Sequence, residues 1–297
     1  MPWLGAHLSI AGGHYRAVEA SRRHGNESLQ IFTKNSNQWR AKPLAEDDVK
    51  EFARAIRGSG LRRLLAHGSY LINLASPDPL LYERSIQALI DESERAEQLG
   101  LDYLVTHPGA HVGSGAAPGL ARVAAAIDAI HRATRGFRVR ILLENTAGQG
   151  SCLGSSPEEL RQIVDLAHEP ERLGICFDTC HAFAAGFPLW PEDAYQSTWE
   201  KWTQIIGIKQ ILAFHLNDSL RPMASRLDRH AHIGRGCIGI GAFRLIVNDR
   251  RFKHRPMVIE TPKHDQRDRE MDLINLRVLR RLLPSEAVCN SKAQQRL

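Results

Sequence analysis

The sequence predicts an α/β protein built as one (β/α)8 TIM barrel, and three observations predict it. Short apolar runs alternate with longer segments of helical period through eight cycles. The runs are apolar throughout, as in a parallel sheet buried on both faces. The 297 residues are enough for one barrel of about 250 residues. An open doubly wound sheet is the alternative assembly of the same units.

The cycles follow one another along the chain. Leu4–Leu8 is the first strand and His14–His24 the first helix. Leu29–Thr33 precedes Ala45–Arg57, and Leu64–His67 precedes Pro79–Leu99, whose apolar positions recur every three or four residues. Tyr103–His107 leads into the alanine-rich Ala117–Arg135. Ile141–Glu144 leads into Pro157–Ala167, a helix announced by Ser156-Pro157 with Glu158 and Glu159 in the first turn. Gly174–Asp178 precedes Pro191–Ile206. Ile211–Leu216 is followed by a long loop and Gly241–Asn248, and Met257–Glu260 by Asp268–Leu282. No linker or composition shift separates the units. Residues 1–283 are therefore expected to form a single barrel domain, and residues 284–297, where the period is lost, a flexible tail.

Composition narrows the class. A hydrophobic fraction of 43% with 24% charged residues fits an ordinary globular protein. No apolar run approaches the roughly 20 residues of a membrane-spanning helix. The opening MPWLGAHLS has neither the basic nor the apolar region of a secretory signal. Five scattered cysteines make a poor disulfide framework and fit a reducing compartment, so a cytoplasmic location is expected. Cys176 and Cys180 are read as buried small side chains flanking a functional residue. The net charge of +6 favours a polyanionic partner, since lysine and arginine neutralise phosphates.

The chemistry lies in what ends each run. His67 (LLAHGSY), His107 (LVTHPGAH), Glu144 (ILLENTAGQG), Asp178 (ICFDTCH), His215 (LAFHLND) and Glu260 (MVIETPK) close six consecutive predicted strands. In a barrel these ends converge on the mouth where active sites are built. One histidine there is commonly a hydrogen-bonded polar residue, and one carboxylate a helix cap. Three carboxylates crowded together repel unless cations lie between them. His181 is three residues past Asp178. Asp228 and His230, two apart in RLDRHAHIGRG, share one side of extended backbone. The nine candidates offer nitrogen and carboxylate donors without thiolate, a set that suits catalytic zinc, manganese or iron. They suffice for two or three ions. Such a cluster suits phosphodiester hydrolysis, with one ion activating water and the others neutralising phosphoryl and alkoxide charge. His7 and His111 are expected to orient these ligands.

Taken together, GAHLSIAGG, FTKN, HGSYLINLA, THPGAH, LLENTAGQGS, CFDTCHAFAAG, FHLNDS, DRHAHIGRG and IETPK resemble endonuclease IV, a zinc-dependent apurinic/apyrimidinic (AP) endonuclease family of base-excision DNA repair. The resemblance runs in order through nearly the whole chain. It implies three Zn2+, with Mn2+ or Fe2+ possible at some sites. His67 and His107 with Glu144 match the ligands of one ion; Glu144, Asp178, His215 and Glu260 those of a second; His181, Asp228 and His230 those of a third. Glu144 and Glu260 would act in catalysis through a metal-bound hydroxide. The implied reaction is cleavage 5′ to an abasic site in double-stranded DNA, leaving a 3′-hydroxyl and a 5′-deoxyribose phosphate, with trimming of blocked 3′ ends. Gln38, Tyr70 and Leu71 match family positions that wedge into the duplex, and Arg229 and Arg235 are candidate phosphate contacts. Asn37 stands where the family pattern often has arginine. That departure falls in the DNA-reading loop and leaves the metal chemistry untouched. A monomer with no obligate protein partner is expected.

Two rival readings make different demands. A sugar isomerase or epimerase on the same barrel needs one ion, which Glu144, Asp178, His215 and Glu260 could hold alone, leaving five candidates idle. A non-catalytic DNA- or metal-binding protein has no need of a strand-end cluster.

Overall fold

The computed structural model describes residues 1–265 and 267–284. In chain order its elements are β1 (Trp3–His7), α1 (His14–His24), β2 (Ser28–Phe32), α2 (Glu46–Ile56), β3 (Arg63–His67) and α3 (Pro79–Gln98). Then come β4 (Tyr103–Thr106), α4 (Ala116–Ala133), β5 (Arg140–Glu144), α5 (Pro157–Leu166), β6 (Leu173–Asp178), α6 (Thr179–Ala185) and α7 (Glu192–Ile205). The last are β7 (Ile211–His215), β8 (Asp218–Ser219), β9 (His230–Ala231), α8 (Ile240–Asn248), β10 (Pro256–Ile259) and α9 (Asp272–Leu282). Strands β1–β7 and β10 close a parallel barrel, with β10 pairing both β7 and β1, so the open-sheet alternative is excluded.

Side-chain alternation along each strand divides the core in two. Leu64, Ala66, Leu104, Leu143, Phe177 and Phe214 face outward and join the large cluster between strands and helices. Leu65, Val105, Leu142, Cys176, Ala213 and Val258 form a smaller cluster inside the barrel. Each of these six lies two residues before a strand-end candidate: His67, His107, Glu144, Asp178, His215 and Glu260. The same pleat that buries the interior layer therefore turns each of these six into the mouth. Small residues keep the interior closed. A Cβ on Gly5 would come 1.9 Å from the Ser28 carbonyl oxygen.

The helix starts follow local chemistry. Ser156 Oγ accepts from the Glu159 amide ahead of Pro157, as its sequence predicts, and Asp78 caps α3 through the Leu80 and Leu81 amides. Four details differ from the sequence reading. Strands β4 and β10 stop one residue short of His107 and Glu260. The segment after Asp178 is the seven-residue α6, too short to show a period, with Asp178 at its N-cap and Gly186 left-handed at its C-cap. The long loop after β7 contains the antiparallel ribbon β8–β9. The final helix starts at Asp272 instead of Asp268. The expected tail lies outside the described residues except for Pro284. No helix among the described residues is long and apolar enough to cross a membrane.

Candidate metal centre

All nine candidates meet at the C-terminal mouth. Glu144, buried at the end of β5, is the hub. Its Oε2 lies 3.1 Å from His67 Nε2 and 3.5 Å from His107 Nε2, and its Oε1 lies 2.9 Å from His215 Nδ1 and 3.2 Å from His181 Nδ1. His215 Nδ1 is also 3.2 Å from Glu260 Oε2 and 4.0 Å from Asp178 Oδ2. On the outer side Asp228 lies between two imidazoles, 3.2 Å from His181 Nε2 and 3.2 Å from His230 Nε2. Donor atoms within 4.8 Å of one another fall into overlapping sets: His67, His107, Glu144; Glu144, Asp178, His215, Glu260; and Asp178, His181, His230. Asp228 and His230 also form a set with Cys180.

Asp178 shows why a strand-end carboxylate has two uses. Its Oδ1 caps α6 through the His181 amide at 2.8 Å. Its Oδ2 accepts from Asn217 Nδ2 at 2.7 Å and lies 3.8 Å from His230 Nε2. The helix cap is real, and it leaves the second oxygen facing the cluster.

The electrostatics follow from this crowding. Burial pushes the Glu144 carboxyl up, but His215, His107 and hydrogen bonding to His181 and His215 hold it well below the usual carboxylate range. Burial also works against charge on His181, yet Asp178, Asp228 and Glu144 keep its pKa well above the ordinary 6.5. Asp228 is lowered to about 2: burial opposes this, and the His181 hydrogen bond with the His181 and His230 charges overcomes it. Burial pushes Asp178 up despite His181 and His230, with Glu144 adding to the rise. Carboxylates and imidazoles thus stand at close range across the mouth, each favouring the other's charged form. One atom is left over: His230 Nε2 is buried and has no hydrogen-bond partner among the described residues. An imidazole nitrogen of that kind, within reach of two carboxylates, fits a metal ligand.

A second ring of residues holds the donors. Gln30, buried in β2, donates from Nε2 to Glu260 Oε1 at 2.6 Å, while its Oε1 lies 2.8 Å from His215 Nε2. Asn217 accepts the Glu260 amide through Oδ1 at 2.8 Å while donating to Asp178. Asn145 Oδ1 accepts the Asp178 amide at 2.7 Å, and its carbonyl lies 2.9 Å from His181 Nδ1. The sequence reading missed all three: Asn145 directly follows Glu144, a visible signal, but Gln30 in mid-strand and Asn217 two residues past His215 carry none. His7 does lie beside the donors, 3.2 Å from Glu260 Oε1. His111 does not: its Nδ1 accepts the Gly115 amide ahead of α4, so it shapes that helix's entry. Cys176 and Cys180 are buried, as expected.

Comparison with known proteins agrees with this geometry. Residues 18–282 match the family model described as a xylose isomerase-like TIM barrel. The chain is 48% identical to a probable endonuclease 4 of Chloroflexus aurantiacus over 283 residues, covering 95% of this chain and 99% of that one. Its structure superimposes on endonuclease IV from Thermus thermophilus with a TM-score of 0.83 at 35% identity, covering 95% and 98% of the two chains. The chain belongs to the endonuclease IV family. A D-tagatose 3-epimerase-like protein, 21% identical with a TM-score of 0.72, shares the fold.

The other candidates lie on loops around the mouth. Tyr70, 69% exposed, follows β3 and lines a cavity of about 230 Å³ with Phe32, His67, His107, His230 and Lys263. Leu71 is half-buried beside it, and Asn37 and Gln38 are exposed on the loop after β2. Arg229 is exposed next to Asp228. Arg235 lines a separate cavity of about 550 Å³ with His232, Arg267 and Arg269. Lys263, absent from the sequence-based set, donates to Asp272 Oδ2 at 2.8 Å at the edge of the mouth.

Proposed function

We propose that this protein is an AP endonuclease that hydrolyses the phosphodiester 5′ to an abasic site in duplex DNA, and that it also trims blocked 3′ ends. The observation that carries the reading is the nine-donor cluster at the mouth of a barrel whose chain is 48% identical to a probable endonuclease 4. His67, His107 and Glu144 would hold one zinc ion, and Glu144, Asp178, His215 and Glu260 a second. His181, Asp228 and His230 would hold the third. Bound ions at these positions supply Lewis-acid stabilisation of phosphoryl charge and lower the pKa of water.

The protein's part is to fix the donors and bring the strand to them. Glu144 touches donors of two sets at once, which ties them together. Gln30 and Asn217 hold Glu260 and Asp178 from behind, so neither carboxylate is free to turn when substrate enters. Tyr70, Leu71 and Gln38 would fill the gap left by the missing base, where extrusion is cheap because little stacking is lost. Arg229 and Arg235 would contact backbone phosphates.

The test is incision of a duplex carrying one tetrahydrofuran abasic analogue, with and without chelator, alongside a metal count on the purified protein. Chelator-sensitive incision with three ions per chain is expected. One ion and no incision would favour the single-metal isomerase; three ions with binding but no cleavage would favour a non-catalytic protein.

A further inference from the structure

Helix α3 carries two buried charged residues, Glu92 and Arg95, that face the loops around the mouth instead of the donor cluster. Lys34 and Glu92 side chains are each 2% exposed, and Lys34 Nζ donates to Glu92 Oε1 at 2.5 Å. Lys34 Nζ also reaches the Gln38 carbonyl at 3.2 Å, and Glu92 Oε1 accepts the Ser69 amide at 3.2 Å. Ser69 Oγ in turn donates to the Ser36 carbonyl at 2.5 Å and accepts the Leu71 amide at 3.2 Å. Near Glu92 on the same helix, Arg95 donates from Nε and Nη2 to the Thr33 carbonyl at 3.1 and 2.7 Å, and from Nη1 to the Lys42 carbonyl at 2.9 Å. The loop after β2 is therefore held at Thr33, Gln38 and Lys42 and joined directly to the loop after β3.

A buried ion pair is a poor device for stability, since apolar residues of similar volume often serve as well. What it supplies is direction, because charge-assisted hydrogen bonds are strong and geometrically demanding. Here the remaining hydrogen bonds of both charged groups end on the backbone of the loops that present Gln38, Tyr70 and Leu71.

We infer that the Lys34–Glu92 pair is a positioning clasp that fixes these two loops relative to each other, so that they enter the duplex as one unit. Lys34 is on this account a positioning residue with no phosphate contact. The role in DNA entry rests on the abasic-DNA reading above; the joint restraint of the loops does not.

The test compares the wild-type holoenzyme with Glu92→Gln, Lys34→Met and the double variant Lys34→Met/Glu92→Leu, which replaces the pair by apolar groups. Hydrogen exchange should quicken at residues 35–38 and 69–72 together in every variant, with metal content unchanged. On the abasic duplex KM should rise about tenfold or more while kcat stays within about threefold, the mark of lost binding. The double variant should recover the melting temperature without recovering KM. The fluorescence of 2-aminopurine beside the abasic site should report poorer insertion in the same variants. Exchange rising in only one loop would overturn the clasp. So would a double variant that recovers KM along with stability, or a salt slope of binding reduced by ~0.9 on loss of Lys34, the sign of a phosphate contact. If the wild type fails to incise abasic DNA, the substrate reading falls while the exchange experiment still decides whether the loops are coupled.

Discussion

Gln30 touches three side chains of the centre, His7, His215 and Glu260, from inside a strand whose outward residues Leu29 and Ile31 are buried in the core. Replacing it by leucine removes those hydrogen bonds at little change in volume. Gln30→Leu should lower metal affinity or incision roughly 10–100-fold, read by chelator competition and by rate. Glu260→Gln keeps the shape and removes the negative charge. It should cut incision by ~100-fold or more while abasic-duplex binding, measured by gel shift, persists. Unchanged incision would remove Glu260 from the mechanism. These two residues also mark what was legible at this scale. Glu260 was readable because a charged residue ends an apolar run. Gln30 was passed over because an amide in mid-strand lacks that position, and only its neighbours in space give it a meaning.

At the scale of elements, packing and titration each make a prediction. Gly5 in β1 has no room for a methyl group, so Gly5→Ala must push β1 from β2 at the Ser28 carbonyl. A loss of roughly 1–3 kcal/mol is expected, seen as a lower melting temperature. His131 in the last turn of α4 is buried with neither ring nitrogen hydrogen-bonded among the described residues. Burial, with Arg172 beside it, lowers its pKa from 6.5 to about 4. Below about pH 6.5 the unfolded chain binds a proton that the folded chain refuses. The group therefore adds no pH dependence above that pH, and stability falls by up to roughly 3 kcal/mol as pH drops towards 4, at 1.36 kcal/mol per unit. Melting temperature against pH should be flatter for His131→Leu than for wild type over this window. The strands were readable as short runs apolar throughout, and most long helices from apolar positions recurring every three or four residues. Helix α6 and the β8–β9 ribbon were not: seven and two residues hold no period, and their positions are set by contacts such as the Asp178 cap and the Asp218–Ala231 pairing.

For the whole molecule, the net charge of +6 and the exposed arginines around the mouth predict binding dominated by phosphate contacts. The logarithm of affinity for an abasic duplex should fall with log salt at ~0.9 per contacted phosphate, and a flat response would move the docking face elsewhere. Prolonged chelation should abolish incision, and magnesium alone should not restore it, because imidazole donors suit it poorly. The barrel could be foreseen because eight repeats of one pattern leave few closed solutions. The joining of loops from different strands, by contrast, depends on where distant segments meet. How those loops are attached also bears on how the metals would leave. Six donors end or directly follow strands of the closed barrel and His181 sits on α6, whereas Asp228 and His230 belong to the loop and ribbon beside it, with the Asp228 side chain 48% exposed. The barrel's hydrogen bonding closes without that ribbon, so a local opening there need not disturb Glu144 or His215. On the proposed assignment, release into excess chelator should therefore be stepwise. One ion should escape at the rate of ribbon opening, and two should lag until the barrel mouth itself loosens.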